Sequence, residues 1–480
     1  MRMPQIPPQT LSARPARRSP LSPPSLMSRW SLPSLMSRWS RWSPPSWRSR
    51  RSRLSRLLPW APLLLTVATP TAHAQSALNS GDTAWILTAS ALVLLMTLPG
   101  LALFYAGLVR SINVLSVMMQ CGAVACVSSV LWVALGYSIA FGDGGAANAW
   151  FGGFGKMFLA GVGADSMSGT IPEALFCVFQ MTFAVITPAL IVGAYVERIK
   201  FAHVALFSGA WMLLVYAPVA HWLWGGGFLA QLGVLDFAGG LVVHATAAVA
   251  AIVVVLLLGP RGNFPHDPAP PHNPGMTLTG AALLWVGWYG FNGGSALAAD
   301  GNAALAVLVT HLSAATAGLV WVVIESVRFG KPSLVGLATG LIAGLASITP
   351  ASGFVGPIGG FVIGLVGGVI CYQAVHWLKV NLKLDDTLDV FAVHGVGGII
   401  GTLLTAVFGA AMFGGAGLDD GIGVQFGRQL AGVGAVIVWT TAGSWLLVMA
   451  VKRCVGLRVD ADAEYEGLDY ASHGERGYHL

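Results

Sequence analysis

Charge is what this 480-residue chain has least of. Lys, Arg, Asp and Glu together make up 10% of it, against about 25% in soluble domains. That shortage, with 55% hydrophobic residues, excludes an ordinary water-soluble fold and leaves a polytopic membrane protein. Acidic residues are missing altogether from positions 1–74, which hold twelve Arg and no Lys. The formal charge of +6 therefore belongs to the leader. Beyond it, 14 basic residues stand against 20 acidic ones, so the basic balance implies no nucleic-acid partner. Cysteine is scarce too. Cys121, Cys126, Cys177, Cys371 and Cys454 contain no CxxC pair and read as small apolar packing residues, not a disulfide framework or metal site. No HxxxH and no nucleophile constellation occur. No metal, cofactor or enzymatic activity is expected.

The N-terminus separates into two pieces. Residues 49–56 (SRRSRLSR) are basic, 57–68 (LLPWAPLLLTVA) are apolar, and Ala72-His73-Ala74 has the A-x-A form. This three-part pattern is that of a secretory signal peptide over 49–74, cleaved after Ala74. Upstream, PSLMSRWS occurs at 24–31 and again at 33–40, within a Ser/Arg/Pro/Trp-rich tract that cannot build a core. Residues 1–48 read as a disordered extension or as an over-long start, with translation beginning nearer residue 50.

A spanning helix needs about 20 apolar residues. Such stretches fall at 83–109, 115–141, 174–196, 201–221, 237–258, 277–298, 302–325, 333–349, 355–377, 389–412 and 428–451, which predicts eleven transmembrane helices over 75–452. With the N-terminus outside, the short inner loops hold Arg110, Arg198, Lys200, Arg261, Arg328, Lys331, Lys379, Lys383, Lys452 and Arg453, and the outer loops hold Lys156 and Arg428. That asymmetry orients the chain and puts the tail, 453–480, in the cytoplasm. Five helices per half is an odd number, so the second half must enter from the opposite face. The expected fold is all-α: two inverted five-helix repeats plus one extra helix. The chain also has 61 glycines, in runs such as Gly359-Gly360 and Gly397-Gly398 that permit close helix contact.

Two segments repeat one spacing inside this apolar chain: Asp236 to His244 (DFAGGLVVH) and Asp386 to His394 (DTLDVFAVH). Ionisable residues at membrane depth are costly and mark pathways or relays. Each segment opens the last helix of its half. Eight residues at about 1.5 Å each would carry both imidazoles to the middle of a core about 30 Å thick, from opposite sides. Two neutral imidazoles in contact can share one hydrogen bond and keep one nitrogen each for a lumen. Tetrahedral zinc wants three or four protein ligands, and these two have no companions. Asp236 and Asp386 each suit a helix cap or a source of negative potential for a cation. Aromatic residues gather nearby: Trp224 precedes Gly225-Gly226-Gly227, Phe179 and Phe183 are one turn apart, and Phe291 and Ser295 repeat that spacing. Desolvated aromatic faces can hold a small cation, though such stripes are also common as packing or lipid belt. His311 lies inside a helix and belongs to no such pattern.

Several long motifs resemble the ammonium transporter (Amt/Mep/Rh) family, its bacterial Amt branch in particular: FYAGLVR (104–110), FQMTFAVITPALIVGAYVERIKF (179–201), HWLWGGGFLAQLGVLDFAGGLVVH (221–244), WYGFNGGSA (288–296), DDTLDVFAVHGVGGIIG (385–401) and GLRV…EGLD…SHGE (456–475). The resemblance covers nearly all of 80–478. It implies an outer ammonium site of Phe179, Phe183, Trp224, Asp236 and Ser295, a phenyl gate of Phe183 and Phe291, and a twin-histidine pore of His244 and His394. Asp386 would be the symmetry mate of Asp236. It further implies an ammonium/ammonia substrate with methylammonium as analogue, a homotrimer in the lipid bilayer of the inner (plasma) membrane, and a PII-type regulatory partner at the cytoplasmic face. The alternative expectation is an ammonium sensor that signals through its tail and a PII-type protein.

Overall fold

The computed structural model describes residues 77–478 apart from 263, 267 and 268. The expected leader at 49–74, its cleavage after Ala74 and the tract 1–48 lie outside the described residues. Eleven helical segments follow in order. They are α1 Ser80–Leu108, α2 Val114–Phe141, α3 Glu173–Tyr195, α4 Phe201–Leu232 and α5 Gly240–Leu258, then α6 Pro274–Trp288 with a continuing turn Tyr289–Gly293. After these come α7 Gly301–Phe329, α8 Leu334–Ile348, α9 Pro357–Asn381, α10 Phe391–Phe408 and α11 Gly421–Val455. Among the described residues, nine are long and apolar enough to cross a membrane; α8 is apolar but shorter. The polar and amphipathic side chains of Trp285, Trp288, Tyr289 and Asn292 dilute α6.

The order of contacts repeats with a period of five helices. α2 packs on α3 and α4 as α7 packs on α8 and α9; α1 meets α3 as α6 meets α8; α3 meets α5 as α8 meets α10. The two halves then join through α1 against α6 and α5 against α10. α3 and α5 are central, with 89% and 83% of their most apolar stretches buried inside the protein, whereas α11 is peripheral at 22%. The outer wall exposes Val130, Leu256, Leu319, Val438 and Leu446, as a surface solvated by lipid tails requires. Gly398 permits the α5–α10 crossing: a Cβ there would lie 2.7 Å from the Gly240 carbonyl oxygen and 2.8 Å from the His244 Cβ.

Two expectations need correction. The Asp-to-His segments are not eight residues of helix. Residues 236–239 and 386–389 are irregular, and the helices begin only at Gly240 and Phe391, each with a π-turn that carries its histidine, Gly240–Ala245 and Phe391–Gly395. Unwound backbone spans much of each segment, which is tolerable at membrane depth only inside protein or beside a cavity. Arg428, expected in an outer loop, lies within α11, because that helix starts seven residues earlier than its apolar stretch. The polar residues there are used: Gln429 accepts from Leu235 N at 2.8 Å and donates to the Leu235 and Thr402 carbonyls at 2.7 and 3.0 Å. His203, in the first turn of α4, and His221 are fully buried. Each ring bonds a carbonyl of a neighbouring segment, Gly456 and Ala140 respectively. The cysteines are free; Cys121, Cys177 and Cys371 pack in the interior, whereas Cys126 and Cys454 are exposed.

The end of the bundle that carries the tail (the tail face) is tied by charge. Arg198 is fully buried and donates to Gly259 O, Thr387 Oγ1 and Asp385 O at 2.9, 2.7 and 2.7 Å. Arg261 grips Asp385 through Nε and Nη2 at 2.9 and 2.8 Å and reaches Glu197 at 2.9 Å. Arg110 joins Glu197 to the tail by donating to Glu464 O at 2.9 Å. Arg458 clasps the Glu464 carboxylate at 2.8 and 3.0 Å. Burial raises the Asp385 and Glu197 carboxyls, but the facing guanidinium groups more than offset it and hold both below the usual carboxylate range. Four loops and the tail thus share one network.

Arg261→Ala strips the bidentate partner from a buried carboxylate. It should cost about 3–5 kcal/mol, read as a lowered Tm of the detergent-solubilised protein. Arg261→Lys should recover only part, since an ammonium lacks the planar fork. An unchanged Tm in Arg261→Ala would show that the network carries no stability.

Candidate functional site

The site is built where α5 begins. Asp236 accepts from Gly239 N and Gly240 N through Oδ1 at 2.9 and 2.7 Å, and from Leu241 N and Val242 N through Oδ2 at 2.8 and 3.0 Å. The first N–H groups of a helix have no partner within it, and here one carboxylate serves all four. Gly239 makes the approach with φ 114°, a left-handed conformation open to glycine. With its four lone-pair positions occupied, Asp236 has no oxygen left for direct contact with a ligand. Asp386 is less fully used: Oδ2 accepts from Phe391 N at 2.7 Å, while Oδ1 is buried with no protein partner.

A cavity of about 170 Å³ opens at the face away from the tail, lined by Phe141, Phe176, Gln180, Phe183, Trp224, Phe237, Ser295 and Leu297. The Trp224 indole is fixed by donating to the Asp236 carbonyl at 2.8 Å and meets Phe183 edge-on, centroids 5.7 Å apart at 83°. Ser295 Oγ donates to Phe291 O at 2.8 Å, so its lone pairs remain available as acceptors. Phe179 is fully buried behind Phe183, ring to ring at 5.1 Å, and does not line the cavity. At the floor, Phe183 and Phe291 stack with centroids 4.3 Å apart at 32°. Aromatic faces and one hydroxyl oxygen suit a small cation with N–H donors.

Beneath the phenyl pair lies a cavity of only about 10 Å³, lined by His244, His394, Phe291, Trp288 and apolar side chains that include Leu101, Phe104, Leu190 and Ile342. That is room for about one water-sized molecule at most. The two imidazoles are brought together: Nδ1 of His394 lies 3.2 Å from Nδ1 of His244, and the ring planes differ by 21°. Their protons follow from the neighbours. Thr349 Oγ1 donates to Leu345 O at 2.7 Å, accepts from Trp288 Nε1 at 2.9 Å, and has one lone pair left for His244 Nε2 in a long contact of 3.4 Å. A hydroxyl with its proton committed can only accept, so His244 is protonated on Nε2. His394 then donates from Nδ1, and its Nε2 is left as an acceptor.

A third cavity, about 500 Å³, opens on the tail face and is lined by Leu108, Arg261, Val335, Thr339, Lys379, Lys383, Thr387, Leu388, Asp389 and neighbours. It lies in line with the histidine cavity. On α1 the lining advances from Phe104 to Leu108, and on α8 from Ile342 to Thr339. On α3, Leu190 lines the histidine cavity, while Gly193 and Ala194 carbonyls accept from Leu388 and Thr387 N–H at 3.1 and 3.3 Å. Each step is about one helical turn. α3 also serves as a ruler: from Phe183 to Ala194 is eleven residues, about 16 Å, so the starts of α5 and α10 sit toward its opposite ends.

Sequence reasoning passed over Phe141, Phe176 and Gln180. The last has a buried carboxamide oxygen with no protein partner, and its signal was its place between the two phenylalanines of FQMTF. Thr349 was missed because a lone hydroxyl in an apolar helix has no pattern. His311 finds partners outside the conduit: Tyr289 Oη lies 2.6 Å from its Nδ1 and its ring stacks on Trp285 at 4.9 Å. Among the described residues, no group of three or more His, Cys, Asp or Glu side chains could hold a metal ion.

Residues 84–478 match the sequence profile of the Ammonium Transporter Family. The chain is 47% identical over 407 residues to a putative ammonium transporter of Methanothermobacter thermautotrophicus, covering 84% of this chain and 99% of that one. It is 43% identical over 402 residues to ammonium transporter Amt1 of Archaeoglobus fulgidus, covering 84% and 100%. Among solved structures it is similar to Saccharomyces cerevisiae Mep2, with TM-score 0.74, 37% identity and coverage of 81% of this chain and 89% of that one. It is also similar to a sensor Amt protein, with TM-score 0.76, 30% identity and coverage of 82% and 98%.

The two aspartates should differ sharply on substitution. Asp236→Asn turns two accepting positions into donors facing backbone N–H groups, a loss of about 3 kcal/mol or more, read as a lowered Tm. Asp386→Asn should be mild. Burial, with Asp389 adding to it, pushes the Asp386 carboxyl up to about 7. A carboxyl raised on folding adds stability at pH below its unfolded pKa of about 3.9, and loses it as pH rises through the folded value. The Tm of Asp386→Asn relative to the unsubstituted protein should therefore rise between about pH 5 and about pH 8. A relative Tm that is flat or falls across that range would reject the assignment.

Proposed function

The chain belongs to the ammonium transporter family, and we propose that it moves ammonium by collecting the cation in the distal cavity and passing it onward as ammonia. Trp224, Phe183 and Ser295 receive the ion, with Phe179 packed behind Phe183 and Asp236 fixing the backbone and lending negative potential. Deprotonation takes place near the stacked rings of Phe183 and Phe291. Ammonia then passes His244 and His394, whose bare Nε2 can accept one of its N–H bonds. The distal cavity faces outward and the tail lies in the cytoplasm, in the inner (plasma) membrane.

One observation carries this reading: a cavity of about 10 Å³ at the histidines, separated from an aromatic cavity of about 170 Å³ by two stacked rings. A bare cation in such a dry section faces a penalty of several kcal/mol, and few oxygens are present to rehydrate it. Potassium has no way around that cost. Ammonium can leave its proton behind.

A homotrimer, each copy with its own conduit, is supported by Tyr289 and His311. His311 is exposed on α7 about ten residues, or about 15 Å, from the helix start. An imidazole–phenol pair facing lipid at that depth is costly; a neighbouring copy relieves it. The loop network that holds the tail offers a PII-type regulator a folded surface. The sensor reading draws on the same tail and on the similarity to a sensor Amt protein, but a signal relay has no need of the aligned cavities.

Proteoliposomes of the purified protein should take up labelled methylammonium faster than protein-free liposomes, and labelled potassium no faster. Equal stimulation for both ions, or for neither, would reject the reading. Thr349→Val removes the acceptor that fixes the His244 proton. It should lower ammonium-driven flux about fivefold, the worth of one hydrogen bond near 1 kcal/mol, and Thr349→Ser should restore it.

A further inference from the structure

The tail-face cavity contains a pair that the conduction path leaves unexplained. Among the described residues, Asp389 is the one carboxylate lining it, and the other charged side chains there are Arg261, Lys379 and Lys383. Arg261 is committed to Asp385 and Glu197. Lys379 is not committed elsewhere: its Nζ lies on both Asp389 oxygens, 2.7 Å from Oδ1 and 2.8 Å from Oδ2. Both groups remain partly open to the cavity, at 33% and 21% side-chain exposure. Lys379 comes from the last turn of α9, Trp377–Asn381, and Asp389 from the irregular stretch before α10. Asp389 sits at φ 61°, a conformation uncommon outside glycine, asparagine and aspartate.

The chemistry of the pair is suggestive because a lysine head group is an alkylammonium. It presents the same charge and N–H donors as the ammonium ion that re-forms when ammonia leaving the dry section takes a proton from water in this cavity. A partly exposed carboxylate at the mouth of the dry section would otherwise be the first anion an ammonium ion meets there. We propose that Lys379 is a tethered competitor for ammonium at Asp389, which keeps the tail-face mouth from retaining the ion. The inference rests on the transport reading above. The two faces then differ in kind. The distal cavity offers aromatic rings and a hydroxyl with its one nearby carboxylate consumed by backbone, while the tail-face mouth offers a carboxylate already held by a cation. A purely mechanical role, pinning α9 to the start of α10, would make the same ion pair but would not discriminate between faces.

The test uses full-length protein in liposomes at one known orientation, with the half-saturation of ammonium-driven flux measured from each face. Lys379→Met should lower the tail-face half-saturation about two- to fivefold, the range of a partly exposed ion pair, and leave that of the distal face unchanged. Lys379→Arg should behave as the unsubstituted protein. Adding Asp389→Asn to Lys379→Met should return the tail-face value to that of the unsubstituted protein, since asparagine keeps the left-handed backbone and removes the charge. An unchanged tail-face value in Lys379→Met, an equal change at both faces, or no reversal by Asp389→Asn would overturn the proposal. Absence of ammonium flux in the unsubstituted protein would instead sink the transport reading beneath it.

Discussion

A backbone that leaves its helix inside a bundle must find partners for every N–H it frees, and one carboxylate does this for α5. Asp236 takes four N–H groups at 2.7–3.0 Å, so the helix can begin well below the face instead of at it. His244 then falls within the first turn, where a π-turn swings it toward α10. Were the chain helical from residue 236 onward, the imidazole would ride a full turn further along and the crossing at Gly398 would not meet it. The Trp224 indole depends on the same segment through its bond to the Asp236 carbonyl. The aromatic cavity and the histidine cavity are therefore both consequences of one cap.

That dependence explains what was legible in the sequence and what was not. Paired spacing of Asp and His, the odd number of helices per half and the basic loops identify the repeat, because each is a local or periodic feature. The repeated contact order of α1–α5 and α6–α10 agrees with it. The unwinding was invisible: DFAGGLVVH reads as the start of a helix, and only the tertiary setting makes an irregular segment cheaper there. The distal cavity was legible in part. Phe183, Trp224 and Ser295 line it, while Phe179 and Phe176 could not be told apart, since both lie on one apolar helix and their difference is rotational. The tail-face network escaped for another reason. Arg110, Arg198 and Arg261 are accounted for by the positive-inside rule, which explains their side of the membrane and says nothing about their partners.

Polar groups in the conduit are few, and nearly all are spoken for. Asp236 is saturated by backbone, Ser295 gives its proton to Phe291 O, Thr349 gives its proton to Leu345 O, and each histidine satisfies the other. What remains open to a passing molecule is a serine oxygen and the Gln180 carboxamide, whose oxygen has no protein partner, at the entrance, and one imidazole nitrogen in the narrow section. On the transport proposed above, these acceptors would welcome N–H bonds, and hydrogen bonding, more than charge, would give the path its selectivity by type.

Size then discriminates within that type. The section at the histidines holds about 10 Å³, too little for an ion with any hydration shell, and its walls are Leu, Ile, Phe and Trp. A cation entering it would exchange several water oxygens for a single nitrogen, and the loss grows with every water removed. A neutral molecule of three N–H bonds gives up far less. On the transport proposed above, the sorting step would come before the narrow section, where water is still within reach to take a proton, and the stacked rings of Phe183 and Phe291 stand at that boundary. On the far side the path opens into a cavity of about 500 Å³, where charge becomes affordable again. The asymmetry between an entrance with no free carboxylate oxygen and a mouth with one follows from which carboxylate the backbone has consumed: Asp236 is spent on four N–H groups, whereas Asp389 is held by the side chain of Lys379.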